Sequence, residues 1–207
     1  MSKFVETYGE QLKERFRGFL PVIVDLETAG INPRLNALLE VCIVLINRDE
    51  NGHYHRESTH FEHIIPFEGS ELDQKSLEFI QVDPFQPLRF AIEEKQALSN
   101  LFNPIQQALK RNHCQRAVLV GHNAWFDLLF IKEAVERTGI KSPFHAFTCF
   151  DTATLSGLFY GQTVLAKAVR AAGLDFNTQE AHSAIYDAEK TADLFCKMLN
   201  TWHGFFR

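Results

Sequence analysis

Short apolar runs rich in β-branched residues recur in the first third of the chain, and their spacing limits the folds that it can adopt. Residues 21–24 read Pro-Val-Ile-Val, and residues 38–46 form a second apolar stretch. Both runs are typical of buried strands. The dipeptide Asn51-Gly52 predicts a turn, after which we expect a third strand at residues 58–65. The opening of the chain therefore predicts a three-stranded meander.

Helix-forming segments alternate with short apolar runs in the rest of the chain. Ala, Leu, Glu, Lys and Gln dominate residues 92–111, which predicts a helix that Pro104 should kink or divide. We expect further strands at 117–120 and 144–150, and further helices at 124–137, 164–172 and 184–199. Residues 83–89 contain two prolines and are expected at the surface. This order of elements predicts an α/β domain with a mixed sheet.

The composition fits one globular domain. A chain of 207 residues is long enough for one sizeable core, so we expect a single domain spanning residues 1–207. Its 45% hydrophobic and 23% charged residues are typical of a soluble protein. The net charge of −5 argues against a protein that coats nucleic acid. A cluster of carboxylates would lower the net charge anyway, so the value does not exclude a nucleic-acid enzyme.

The cysteines and the first residues of the chain bear on its compartment. The four cysteines are scattered singly, without a CxxC pair, which favours free thiols in a reducing cytosol. Charged residues such as Glu6 and Glu10 stand near the start of the chain, where a signal peptide would have an apolar core. The apolar runs are also too short to span a bilayer. We therefore expect a cytoplasmic protein that does not contact membranes.

Two carboxylates follow the first predicted strand directly. Side chains two residues apart on a strand point to the same face, so Asp25 and Glu27 should lie side by side while Leu26 enters the core. Adjacent carboxylates repel each other, and a divalent cation relieves that repulsion. An Asp-x-Glu pair is weak evidence by itself, because such pairs arise by chance in many chains. Its position at the end of an apolar strand favours metal binding.

A second group of polar residues follows the strand predicted at 117–120. His122 and Asn123 come at its carboxyl end, where open α/β sheets place their sites. Asp127 should lie in the first turns of the next helix. A carboxylate there could equally serve helix-terminus electrostatics, so this segment alone leaves both interpretations open.

A histidine precedes the last predicted helix, and a carboxylate lies within its first turns. His182 and Asp187 would be about 140° apart on one helix, so they can converge only if His182 lies on the preceding loop. A loop histidine suits a general base, although an exposed surface histidine is the alternative. Asp187 adjoins an apolar stripe, where a buried carboxylate is hard to explain without a cation. The stripe consists of Ala184, Ala188, Ala192, Phe195 and Leu199.

Together these residues meet the requirements of phosphodiester hydrolysis. That reaction needs a neutralised phosphate, an activated water and a stabilised leaving oxygen, and two metal ions roughly 4 Å apart supply all three. A histidine with a pKa near neutrality can take the proton from the water. The candidate catalytic set is Asp25, Glu27, Asp127, His182 and Asp187.

The three segments, in this order, resemble the three exonuclease motifs of the DEDD superfamily, and the spacing from His182 to Asp187 resembles its DEDDh branch. The resemblance implies a ribonuclease H-like fold, in which helices flank a mixed five-stranded sheet. It also implies two Mg²⁺ ions, which Mn²⁺ can replace. Asp25 would bridge both ions, and Glu27 and Asp187 would complete the shell of the first. Asp127 would support the site through water or the second ion, and His182 would act as base. The implied activity is 3'→5' release of nucleoside 5'-monophosphates.

Further segments resemble a bacterial subgroup of this family that trims the 3' ends of transfer and other stable RNAs. They lie at residues 15–19, 27–30, 150–153, 161–165, 181–184 and 191–196. The likeness implies single-stranded RNA 3' ends, and also single-stranded DNA, as substrates. It further implies a homodimer in which basic residues of one subunit guide RNA into the other's active site. The matching positions are Arg15, Arg17 and Arg116, with Lys141 a looser match; ordinary surface charge is the alternative.

The same likeness selects three rings that would stack on terminal bases: Phe79, Phe126 and Phe147. Two positions depart from the pattern. Ile31 stands where a further stacking aromatic is expected, and Lys75 stands where an acidic base-contacting residue is expected. Isoleucine cannot stack as a ring does, and lysine reverses the hydrogen-bond polarity. We therefore do not expect the base preference of the subgroup to carry over.

Three other functions remain open at this point. A proofreading exonuclease subunit uses the same five residues but needs a polymerase-binding tail, for which residues 202–207 leave almost no length. An oligoribonuclease also uses them, but it prefers very short RNA. A catalytically silent RNA-binding module would be expected to have lost at least one of the five residues, and none is lost.

Overall fold

Five strands form one mixed sheet in the computed structural model, which describes residues 12–204 and the side chains of residues 12–202. In chain order the strands are β1 (Phe19–Thr28), β2 (Leu38–Arg48), β3 (Tyr54–His63), β4 (Arg116–Gly121) and β5 (Phe144–Asp151). Their order in the sheet is β3-β2-β1-β4-β5. The first three strands pair antiparallel, whereas β4 runs parallel to both β1 and β5. The predicted meander and the mixed five-stranded sheet are confirmed.

Seven helices and a short 3₁₀ turn occupy the described part of the chain. They are α1 (Leu12–Arg15), α2 (Gln74–Ile80), the 3₁₀ turn Pro87–Arg89, α3 (Glu94–Arg111), α4 (Trp125–Thr138), α5 (Thr152–Tyr160), α6 (Leu165–Ala171) and α7 (Ala184–Gly204). The sequence predicted α3, α4 and α6 to within a few residues. It also predicted the start of α7, which continues to Gly204 instead of ending at residue 199. It did not predict the short helices α1, α2 and α5.

Side-chain caps stabilise the first turns of the short helices α2 and α5. Asp73 accepts a hydrogen bond from the backbone N–H of Ser76 at 2.9 Å and so caps α2. Asp151 caps α5 by accepting from the backbone N–H groups of Ala153 and Thr154. Gly161 ends α5 in the left-handed conformation, with φ of 66°. These caps supply partners for helix-end groups that would otherwise be unpaired.

Pro104 does not divide α3. We had expected the proline either to kink or to divide this helix. The helix α3 continues through Pro104, although proline cannot donate the usual backbone hydrogen bond. Its apolar face is buried on both sides of the proline, at Ala97, Leu98, Leu101, Phe102, Ile105 and Ala108. This packing outweighs the single hydrogen bond that proline removes.

The helix α7 covers one face of the sheet and brings its first turn to the end of β1. It packs on β1, β2 and β3. Its predicted apolar stripe is confirmed, since all five members are buried: Ala184, Ala188, Ala192, Phe195 and Leu199. Asp187 therefore lies in the first turn of a helix whose position is fixed by packing against β1, β2 and β3.

Several expectations concern the ends of the chain or its environment. Residues 1–11 and 205–207, on which the expectations about a leader and a polymerase-binding tail partly rest, lie outside the described residues. No helix within the described ranges is long and apolar enough to cross a membrane. The four cysteines are unpaired: Cys42, Cys114, Cys149 and Cys196.

Candidate active site

Three carboxylates meet at the carboxyl end of the central strand. Asp25 and Glu27 alternate with Leu26 on β1, and Asp187 reaches them from the first turn of α7. One carboxylate oxygen from each of the three lies within 4.8 Å of the others. Glu27 is only 7% exposed, although it carries a carboxylate. The strand places the first two side chains on one face, and the helix packing supplies the third.

The site raises the pKa of every one of these carboxyl groups. Burial raises the pKa of Glu27 to about 8, and the charges of Glu40 and Asp187 add to that effect. Burial also raises the pKa of Asp25 well above its usual range, and the negative charges of Asp127 and Glu27 raise it further. The pKa of Asp187 is raised by burial too. Burial is the largest cause of all three shifts. Repulsion between carboxylates adds to it for Asp25 and Glu27, whereas the N–H of His182 partly offsets the raised pKa of Asp187.

The donor set fits a divalent cation. Three carboxylates with overlapping reach are hard-oxygen ligands of the kind that Mg²⁺ and Mn²⁺ take in proteins. One oxygen of Asp187, Oδ1, is buried and has no hydrogen-bond partner among the described residues. An unpartnered buried carboxylate oxygen is costly unless a cation contacts it. A positive ion between the three carboxylates would satisfy this oxygen and relieve the repulsion.

Asp127 lies in the first turn of α4, outside the group of three carboxylates whose oxygens are within 4.8 Å of one another. It is 6% exposed, and its charge is the largest charge contribution to the raised pKa of Asp25. Burial raises the pKa of Asp127 itself, with the charge of Asp151 adding to the shift. It shares a cavity of about 420 Å³ with Asp25. The other lining residues of the cavity are Leu26, His122, Asn123, Trp125 and Phe126.

Two residues that position Asp127 were not identified from the sequence. Gly121 leaves room for a close approach, because a Cβ atom there would lie 3.0 Å from Asp127 Oδ2 and 3.1 Å from Ala124 Cα and would force one of them to shift. Asp151 Oδ1 accepts from the backbone N–H groups of Asn123 at 2.8 Å and Ala124 at 3.3 Å. Asp151 thus braces the turn between β4 and α4 while it also caps α5. Asn123 and Asp151 are 28 residues apart in the sequence, so no local sequence pattern predicts their contact.

Two histidines lie near the carboxylates, and they differ in whether their ring nitrogens are engaged. Both ring nitrogens of His122 have partners, Nδ1 with Thr152 Oγ1 at 3.0 Å and Nε2 with the carbonyl oxygen of Thr163 at 2.7 Å. His182 lies exposed on the loop before α7, as predicted. Its backbone has φ of 66°, and its N–H donates to Asp187 Oδ2 at 3.1 Å. The loop therefore holds an accessible imidazole next to the three carboxylates.

The three candidate stacking rings differ in their exposure. Phe79 on α2 is 65% exposed, and its ring centroid lies 4.5 Å from that of His182. Phe147 on β5 is 81% exposed, and its ring centroid lies 4.5 Å from that of His145, which contacts Phe19 at the amino end of β1, away from the carboxylates. Phe126 is half-buried and packs against Phe130 with a centroid separation of 4.9 Å. Trp125, which the sequence analysis did not single out, is exposed and lines the cavity of Asp25 and Asp127.

The candidate basic residues gather at the other end of the sheet. The backbone segments that carry Arg17 and Arg116 lie side by side, because the N–H of Gln115 donates to the carbonyl oxygen of Gly18 at 2.8 Å. Arg116 also shares a cavity with Lys141, while Arg15 and Arg17 line a neighbouring apolar one. Phe19 and Arg116 are paired at the amino ends of β1 and β4. The carboxylates lie at the carboxyl ends of the same strands.

Comparisons with known proteins agree with this geometry. The profile of an exonuclease family matches residues 22–195. The nuclease domain of 3'hExo, a DEDDh family member solved with rAMP, aligns with a TM-score of 0.68 at 20% identity, covering 87% of this chain and 92% of that one. Exonuclease I of E. coli, in complex with a dT13 oligonucleotide, aligns with a TM-score of 0.66 at 15% identity, covering 88% of this chain and 41% of that one. These likenesses concern the fold. Fold and site together define a metal-dependent exonuclease of the DEDDh type.

Closer relatives narrow that class. Ribonuclease T of Marinobacter nauticus is 55% identical over 192 residues, which are 92% of this chain and 87% of that protein. Ribonuclease T of Vibrio vulnificus is 54% identical over 200 residues, which are 96% of this chain and 92% of that protein. The chain belongs to the ribonuclease T family of 3'→5' exoribonucleases.

Proposed function

We propose that the protein trims the 3' ends of transfer and other stable RNAs in the cytoplasm, acts also on single-stranded DNA, and works as one exonuclease domain spanning residues 1–207. The observation that carries the proposal is the convergence of Asp25, Glu27 and Asp187 beside a loop histidine. The reaction is hydrolysis of the terminal phosphodiester bond. It releases a nucleoside 5'-monophosphate and leaves a new 3' hydroxyl group.

Four carboxylates hold the metal ions in this proposal. Asp25, Glu27 and Asp187 would bind one Mg²⁺, and Asp25 with Asp127 would bind a second, with Mn²⁺ able to replace either. When bound, such ions neutralise the scissile phosphate and make a water molecule acidic enough to ionise near neutral pH. The raised pKa of Glu27 and the unpartnered oxygen of Asp187 support this role, because both show buried carboxyl groups that a cation would stabilise.

His182 is the general base of the proposed mechanism. An unprotonated nitrogen of its imidazole takes the proton of the attacking water, whose oxygen then bonds to phosphorus while the 3' oxygen of the preceding nucleotide leaves. Its exposure lets the ring reach a bound substrate, and the hydrogen bond from its N–H to Asp187 ties the loop to the carboxylates. His122 does not suit this task, because both of its ring nitrogens already have partners.

Exposed rings would hold the 3' end of a single strand, with Phe79 beside His182 and Phe147 nearer the amino end of β1. Phe79 and Phe147 offer free faces for stacking, and Phe126 offers an edge of a half-buried ring. Stacking tolerates any base, which suits an enzyme that removes successive nucleotides. Ile31 is 83% exposed and brings no ring, while Lys75 is exposed and brings a positive charge. We therefore propose no preference for the terminal base.

A homodimer would let the basic residues act on the partner's substrate. Arg17 and Arg116 adjoin the amino ends of β1 and β4, whereas Asp25 lies six residues further along β1 than Phe19. Six strand residues span roughly 20 Å, so these arginines are far from the carboxylates of their own chain. A second copy of the chain could bring its arginines closer to the single strand that enters the site. The arrangement favours RNA of some length over dinucleotides as substrate.

A cleavage assay tests the proposed activity. A 5'-labelled single-stranded RNA is incubated with the purified protein in Mg²⁺ and separately in EDTA, and the products are separated on a denaturing gel. We expect a ladder that shortens from the 3' end only with metal. Asp25→Asn, as the matched control, should give no ladder while its circular dichroism spectrum stays that of the folded protein. An intact band with folded wild-type protein in Mg²⁺ would contradict the proposal.

Substrate length separates the proposal from an oligoribonuclease. The same assay is run with RNAs of two, five, ten and twenty nucleotides at equal 3'-end concentration. We expect kcat/KM to rise with length, because longer strands reach the basic residues. A maximum at the dinucleotide would instead favour an oligoribonuclease.

A further inference from the structure

The segment that carries His182 is attached at both ends to two consecutive residues of α7. At its start, the N–H of Asn177 donates to the hydroxyl oxygen of Tyr186 at 2.5 Å. At its end, the N–H of His182 donates to Asp187 Oδ2 at 3.1 Å. The first turn of α7 therefore holds residues 177–182 between the hydroxyl of Tyr186 and the carboxylate of Asp187.

The attachment at Tyr186 is itself supported by α6. The ring of Phe176 packs edge-on against that of Tyr186, with centroids 5.3 Å apart at 73°. The guanidinium of Arg170 lies 5.8 Å from the centroid of Phe176 and donates to the carbonyl oxygen of Phe176 at 3.2 Å. Tyr186 of α7 therefore holds Asn177 by a hydrogen bond. Tyr186 in turn packs on Phe176, which contacts Arg170 of α6.

The segment has some internal order between its two attachments. The side-chain amide of Asn177 donates to Glu180 Oε1 at 2.8 Å, and its oxygen accepts from the N–H of Gln179 at 3.0 Å. Asn177 therefore organises the following residues into a turn, and Tyr186 orients Asn177. A displaced Asn177 would shift the whole turn and, with it, the approach to His182.

Such a device matters because His182 is exposed and its ring has no hydrogen-bond partner among the described residues. A general base must lie within hydrogen-bond distance of the proton that it takes, and small misplacements are costly in rate. Free loop residues lose conformational entropy when they are ordered for each turnover. We infer that the Tyr186 hydroxyl is a positioning group: it fixes the start of the loop so that His182 stays over the carboxylates. This inference rests on the proposed role of His182 as base.

Tyr186→Phe tests the inference, because it removes one oxygen atom and keeps the ring against Phe176. We expect kcat to fall about tenfold, the effect of removing one hydrogen bond, with KM and the Mn²⁺ affinity unchanged. Hydrogen–deuterium exchange should accelerate at residues 177–182 and nowhere else. The matched control is Tyr160→Phe on α5, which should change neither quantity.

A double mutant separates positioning of the base from general damage. In a His182→Ala background, Tyr186→Phe should lower kcat no further, because the group that it positions is gone. An additive loss, an altered metal affinity or unchanged exchange at residues 177–182 would each overturn the inference. Failure of the wild-type protein to cleave RNA would count against the proposed function instead, since the exchange measurement reports on the loop without any turnover.

Discussion

At the scale of single residues, Glu27 illustrates how the fold places charges where they are unfavourable without a counter-ion. It is buried on β1, directly across from Glu40 on β2, and Asp187 lies close by. Glu40 has its own cation, Arg89, whose Nη2 is 3.8 Å away. Glu27 forms no ion pair with any of the described residues. The carboxylates at the end of β1 therefore lower the stability of the metal-free fold, as functional groups often do.

The raised pKa of Glu27 predicts how the stability of the metal-free protein depends on pH. The unfolded chain releases the Glu27 proton near 4.5, whereas the folded chain holds it to about 8. The contribution of this group to stability is complete below 4.5 and is lost as the pH rises through about 8. In EDTA, the Tm should therefore fall between these pH values. Added Mg²⁺ should raise the Tm most at the alkaline end, where the carboxylates are charged.

Glu27→Gln is the control for that titration, because glutamine has a similar shape and no charge. Its Tm in EDTA should fall less with pH than that of the wild type, and Mg²⁺ should raise it less. Differential scanning calorimetry at pH 5, 6, 7 and 8 measures both effects. Identical pH dependence in the two proteins would show that Glu27 does not retain its proton in the folded state.

The convergence of the three carboxylates could be predicted from the sequence, because each of them stands in a local pattern that indicates the direction of its side chain. Asp25 and Glu27 follow an apolar strand, and Asp187 adjoins an apolar helical stripe. Asp151 and Gly121 could not be identified in this way. Asp151 accepts from the backbone N–H of Asn123, 28 residues away, and the small size of Gly121 matters because Asp127 and Ala124 come close to it. Such roles depend on tertiary distances, which a single sequence does not contain.

At the scale of elements, the turn from β4 to α4 determines where Asp127 lies. Gly121→Ala should displace Asp127 or the start of α4, since a Cβ atom would come within 3.0 Å of Asp127 Oδ2. We expect a stability loss of about 1–3 kcal/mol, typical of overpacking, and a larger relative loss of kcat. Urea unfolding and the RNA cleavage assay measure the two quantities.

A second glycine provides the control for the turn. Gly157 lies inside α5, where an added Cβ would meet only a methyl group of Thr163 at 3.3 Å. Gly157→Ala should keep kcat near that of the wild type. Equal kcat values for wild type and Gly121→Ala would show that the turn does not set the position of Asp127.

The short helices mark the limit of prediction at this scale. The sequence of α5, Thr-Ala-Thr-Leu-Ser-Gly-Leu-Phe-Tyr, contains β-branched residues and an internal glycine that disfavour helix. The cap at Asp151 and the buried packing of Ala153 and Ser156 overcome that tendency. Long helices such as α7 could be predicted because the helical spacing of their apolar residues is by itself enough to indicate a helix.

At the scale of the whole molecule, the net charge of −5 conceals two separate surfaces. The acids of the active site gather at the carboxyl ends of β1 and β4, and the arginines gather near their amino ends. A uniform negative charge would repel RNA, whereas in the proposed function this separation would let one end of the sheet attract phosphates while the other end binds cations. The sequence identified both sets of residues, but only the strand register shows that they occupy opposite ends.

Charge reversal at the basic end tests this division and the dimer that we propose to use it. Arg15→Glu with Arg17→Glu should raise KM for a twenty-nucleotide RNA much more than for a dinucleotide, because only the longer strand reaches the arginines. For every phosphate that is no longer neutralised, the slope of log affinity against log salt should decrease by about 0.7. The matched control reverses Lys95 and Lys197, exposed cations on α3 and α7. Equal losses on both substrates would argue against a guiding surface.

Sedimentation equilibrium shows whether the chain dimerises. Mixing the doubly reversed variant with inactive Asp25→Asn tests guidance between subunits. Heterodimers that pair the intact basic end of one subunit with the intact active site of the other should restore cleavage of the long RNA.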